Sequence, residues 1–89
     1  GLVTEADWTR WTAADFRPYV DVILEAFGAS RVMWGSDWPV CLLAASYARG
    51  LALVRELIGA LSASEQDAIL GGNAASFYGI AVPPEALDR

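Results

Sequence analysis

The chain has 89 residues, six basic and eleven acidic, for a formal charge of −5 at pH 7, with 55% hydrophobic residues and no histidine. That balance supplies a core and argues against disorder, while the negative charge would repel phosphate backbones and anionic lipid, excluding nucleic acid and membranes as partners. The longest unbroken apolar run, Val40 to Ala45, falls far short of the roughly 18 residues of a membrane span, and the start at Gly1-Leu2-Val3 carries no secretory signal and suggests a fragment.

Gly1 to Ala6 is a short run rich in Leu and Val that reads as the end of a strand, followed by a polar and aromatic loop from Asp7 to Ala14. Beyond Asp15, apolar residues at Phe16, Tyr19, Val20, Ile23, Leu24 and Phe27 recur at helical spacing. Thr12 or Asp15 would supply the N-cap, and Pro18 is tolerated only near the first turn. Gly28 stops the helix, because glycine takes backbone conformations closed to other residues.

Arg31 to Pro39, RVMWGSDWP, has Val, Met and Trp in succession without polar alternation, the pattern of a buried strand in a parallel sheet. After an irregular stretch through Leu43, apolar residues at Tyr47, Leu51, Val54, Leu57, Ile58 and Leu61 mark the longest helix, with Arg49, Arg55 and Glu56 toward solvent. Ser62-Ala63-Ser64-Glu65 has the form of a capping box. A helix from there should run toward Leu70, be interrupted by Gly71-Gly72, and be followed by a short turn capped by Asn73. Residues 81–89 form a polar tail.

Chemistry concentrates at Gly35-Ser36-Asp37-Trp38-Pro39. Gly35 permits close approach, Pro39 ends the strand, and Asp37 stands at its carboxyl end, where parallel sheets and barrels place catalytic groups. A carboxylate there can accept a proton or bind a metal; the alternative is a turn or cap residue. Trp8, Trp11 and Trp38 are candidates for stacking on a ring-shaped substrate, with core packing the competing role for Trp8 and Trp11, and packing is the expectation for Trp34. Thr4 and Glu5 would reach the same mouth, although Glu5 equally suits a solvent ion pair, and Arg10, Arg17 and Arg31 read as surface charges. Cys41, the single cysteine, excludes an internal disulfide and fits a reducing compartment, so cytoplasm is the default location. Without a histidine to activate it, Cys41 reads as a small buried apolar residue.

With MWGSDWPV, the upstream GLVTEADW, LEAFGASRV and the terminal GGNAASFYGI, the chain resembles amidohydrolase-related proteins (the amidohydrolase 2 family), nearest the sugar-lactone hydrolase branch of the L-fuconolactonase and L-rhamnonolactonase type. The resemblance covers residues 1–80 and implies an α/β fold, the last two strand-helix units and terminal helices of a TIM (β/α)8 barrel. It implies that Asp37 closes an active site at the end of the eighth strand. The implied reaction is hydrolysis of a sugar lactone or related cyclic ester, with Asp37 taking the proton of water. A divalent metal, zinc first among candidates, takes part in some members and not in others, and Asp37 would be one of its ligands. The histidines the family uses are absent here, and a barrel needs about 250 residues, so this chain alone should be inactive, marginally stable and prone to expose apolar faces. Two other readings stand beside this one: a decarboxylase on the same barrel, told apart by carbon dioxide release, and a small α/β interaction module without catalysis.

Overall fold

The first long helix is set at both ends by local chemistry. In the computed structural model, which describes residues 2–81, α1 spans Ala13–Phe27. Thr12 is the extended N-cap residue, and its N–H donates to Asp15 Oδ2 at 2.8 Å. This satisfies the chain entering the helix and puts a carboxylate at its positive end. Pro18 sits in the second turn, deeper than expected, and its missing N–H leaves one rung out of the ladder without ending the helix. Gly28 ends it at φ 77°, ψ 157°, its N–H donating to Leu24 C=O at 2.8 Å.

The second helix, α2, spans Tyr47–Leu57, capped by Ser46, whose hydroxyl accepts from Arg49 N–H at 3.1 Å. It is shorter than α1, contrary to expectation, because the chain leaves the helix at Ile58 and turns through Gly59. The predicted capping box is formed: Glu65 N–H donates to Ser62 Oγ, and Ser62 N–H to Glu65 Oε1. Helix α3, Ala63–Asp67, runs directly into a π-helical turn, Ala68–Gly72, and then into α4, Asn73–Tyr78. Gly71-Gly72 therefore widens the helix instead of interrupting it, and Asn73 lies inside the helical path and caps nothing. Its side chain is engaged elsewhere, as described below.

Neither expected strand is formed, and no β-strand occurs among the described residues. Val3–Glu5 is a 3-10 turn closed by Ala6 N–H on Val3 C=O, and Ala29–Arg31 is another. Val32 is extended, but Val32–Asp37 pairs with no neighbouring strand and is not fully buried, Met33 being 40% exposed. The physical reason is that a sheet's hydrogen bonds are made between strands, so an extended segment without neighbours has no ladder to join. The polar tail lies, except for Ala81, outside the described residues.

Two apolar clusters hold these pieces. The first joins Val3, Trp11, Phe16 of α1, Cys41, Ala44, Ala45 and Leu53 and Leu57 of α2. The second joins Val54 and Ile58 to Ile69 of the π-helical turn, flanked by Leu24, Val32, Trp34 and Leu61. Large apolar side chains remain in solvent along α1, with Tyr19 68% and Val22 64% exposed, and at the end of α4, with Phe77 71% exposed. These are the uncovered apolar faces anticipated from the sequence.

Candidate functional site

Asp37 follows the extended segment directly and stands exposed at φ 58°, the left-handed region. Among residues with a Cβ, Asp and Asn enter that region most readily, since a short polar side chain can bond locally. The turn is held on both sides of Asp37: Cys41 N–H donates to Asp37 C=O at 2.8 Å, and Trp38 N–H donates to the side-chain Oγ of Ser36 at 3.2 Å. Cys41 is buried in the first cluster, so the turn is anchored to the core from behind. A 3-10 turn, Val40–Leu43, continues the chain toward α2.

Trp38 is 63% exposed beside Asp37, presenting an aromatic face to solvent. Trp8 is also exposed, and its Nε1–H donates to Thr4 C=O at 2.9 Å. Thr4 and Glu5 lie on the Val3–Glu5 turn, which packs against Val40–Leu43, so Trp8 is tied to an element adjoining the Asp37 turn. Trp11 lies elsewhere: it is 6% exposed, its Nε1–H donates to Ala44 C=O at 2.9 Å, and its ring meets Phe16 edge-on. Its remaining face carries the Arg49 guanidinium at 3.9 Å from the ring centre, within cation–π range. Trp34 is half-buried and meets Tyr47 edge-on.

Behind the turn, Trp34, Gly35, Ser36 and Cys41 help to line a cavity of only about 30 Å³. Ligand pockets run to about 300–1,000 Å³, so a ring-sized molecule does not fit there. A larger cavity, about 690 Å³, lies between the Val3–Glu5 turn and α1, lined by Leu2, Glu5, Asp7, Asp15, Phe16 and Tyr19, and Asp37 and Trp38 are not among its lining residues. Among the described residues no group of three His, Cys, Asp or Glu side chains is arranged to hold a metal ion.

Two participants were not legible as such. Arg49 is exposed, as read, and its guanidinium also stacks on Trp11. Asn73, read as a cap, donates from Nδ2 to Ala29 C=O at 2.7 Å and to Val32 C=O at 2.8 Å. The only signal for the second was an Asn placed directly after two glycines.

A model of the amidohydrolase family matches residues 1–80. An L-fucono-1,5-lactonase of Burkholderia multivorans is 52% identical over 91 residues, covering 97% of this chain and 31% of that protein. An L-fucono-1,5-lactonase of Burkholderia ambifaria is 41% identical over 70 residues, covering 74% of this chain and 24% of that protein. Among solved structures, an amidohydrolase of Burkholderia multivorans with bound zinc superposes with a TM-score of 0.85 at 46% identity, covering 91% of this chain and 30% of that one. The chain thus spans between about a quarter and a third of the length of the curated lactonases it matches. It belongs to the amidohydrolase family.

Proposed function

We propose that this chain serves as the carboxyl-terminal part of a (β/α)8 hydrolase that opens a sugar lactone, with Asp37 as the base that takes the proton of the attacking water. The observation that carries this reading is the exposed, left-handed Asp37 next to an exposed Trp38, on a turn anchored to the core. Relatives named L-fucono-1,5-lactonase supply the substrate class. Within such a barrel, Val32–Ser36 would be the segment that gains strand partners.

A water oxygen attacks the lactone carbonyl while its proton passes to the Asp37 carboxylate; the ring C–O bond then breaks and the ring oxygen leaves as a hydroxyl, taking up a proton. Trp38 and Trp8 offer flat apolar faces for one side of the sugar ring. Trp11 supports the site from within the core, and cytoplasm remains the proposed location. A zinc ion needs three or four ligands; the sequence has no histidine, and among the described residues no three candidate ligand side chains come together, so those residues do not fit the metal by themselves.

The test is Asp37→Asn in the complete enzyme carrying this segment, assayed on L-fucono-1,5-lactone. Asn keeps the left-handed backbone, so the comparison isolates the carboxylate. The expected loss in kcat is about 10²–10⁴-fold, with thermal stability unchanged; near-normal turnover refutes the assignment.

A further inference from the structure

Asp37 ends a segment that lacks the usual means of being held still. Val32–Asp37 belongs to no helix and pairs with no strand among the described residues. A working base must nevertheless stay within about 0.5 Å of its productive position. Part of what grips the segment is an element far along the chain that packs against it. Asn73 Nδ2 donates to Ala29 C=O at 2.7 Å and to Val32 C=O at 2.8 Å, and Ile69 C=O accepts from Trp34 N–H at 2.9 Å.

All three bonds come from the π-helical turn and the residue that follows it. A π turn shifts the ladder from four residues to five, a local irregularity that recurs at functional sites; here a carbonyl within it takes a donor from outside the helix. Asn73 suits its place because a primary amide carries two protons on one atom, and two backbone carbonyls accept them. Serine has one such proton. Aspartate would set oxygen against oxygen. Between the grip at Trp34 and Asp37 lie only Gly35 and Ser36, and beyond Asp37 the Cys41 N–H closes the other side.

We infer that Asn73, through the Ala29–Trp34 segment, is a positioning residue for Asp37: it touches no substrate and sets where the carboxylate stands. The inference rests on the reading of Asp37 as the base.

The test is a double-mutant cycle in the complete enzyme with L-fucono-1,5-lactone, with activity normalised to folded protein by circular dichroism. Asn73→Asp should lower kcat by roughly 10- to 100-fold, the scale of a misplacement near 1 Å, with KM within about threefold. Asn73→Ser, which keeps one donor, should fall between it and the parent, and it carries the same criteria should Asn73→Asp fail to fold. In an Asp37→Asn background the same changes should cost less than about threefold, because the group they position is gone. An unchanged kcat in the Asn73 variants overturns the positioning role. An equal loss in both backgrounds also overturns it, leaving Asn73 a stability residue only. Near-normal turnover of Asp37→Asn alone overturns the reading of Asp37 and this role with it.

Discussion

Replacing Trp11 with Phe separates support of the site from contact with substrate. Phe keeps an aromatic ring against Phe16 but loses the indole N–H that bonds Ala44 C=O at 2.9 Å in a buried place. An acceptor left unpaired in the interior costs about 1–3 kcal/mol. The smaller ring also gives up part of the face that Arg49 covers, an interaction of about 0.5–1 kcal/mol at exposed positions. The sum is a destabilisation near 2 kcal/mol, against about 3–5 kcal/mol for Trp11→Ala, which empties the site. Thermal unfolding of the complete enzyme reads the difference, at about 2–4 °C per kcal/mol in a domain of some 150–250 residues. The lactone KM of the folded variant should stay within about twofold, since Trp11 is buried in the first apolar cluster. Unchanged stability with a raised KM would refute this and make Trp11 a binding residue.

Three further outcomes are expected. Gly28→Ala should destabilise by about 1–3 kcal/mol in chemical denaturation, wholly through backbone conformation, because a Cβ there meets no atom within 4 Å while φ is 77° and ψ 157°. Glu65 is held below its ordinary value of 4.5 first by the Ser62 N–H and then by the Ser62 hydroxyl. Its contribution is therefore present above the unfolded value and lost as pH falls through the lower, folded one; the gap in Tm between parent and Glu65→Gln should narrow from about pH 6 to about pH 3. A polypeptide of residues 1–89 alone should self-associate through its uncovered apolar surface, and Val22→Lys with Phe27→Lys should shift it toward monomer in sedimentation.

The parts legible in the sequence are those whose physics is local. Thr12, one of two N-cap candidates, Gly28, and Ser62 with Glu65 mark helix ends because cap and capped group lie within a turn of each other. The burial of Cys41 was legible because, with no histidine to activate it, a small apolar role was the reading left. The strands were not, because a strand is made by its neighbour; the apolar run at Val32–Trp34 forms no ladder here and is only partly covered, with Val32 and Trp34 half-buried and Met33 exposed. Gly71-Gly72 looked like a break, yet bonds from Ile69 and Asn73 to distant backbone accompany an unbroken helical path. The position of Asp37 was legible, since Gly35 and Pro39 bracket it; its left-handed backbone was not, and the residues that grip its segment were not, because they lie about forty residues away along the chain.

Two of those distant bonds interlace. The Trp11–Ala44 bond ties ends 33 residues apart and the Asn73–Ala29 bond ties ends 44 apart, and the stretch from Ala29 to Ala44 belongs to both rings. Releasing either ring removes a tie from the shared stretch, with Asp37 within it, and leaves the remaining bonds at Val32, Trp34 and Cys41 to hold it. The chain therefore cannot be shortened from its carboxyl end without consequence upstream. A reading frame that stops before codon 73 would still encode Asp37 and its anchoring cysteine, but it would have discarded one of the two rings that keep the aspartate in place.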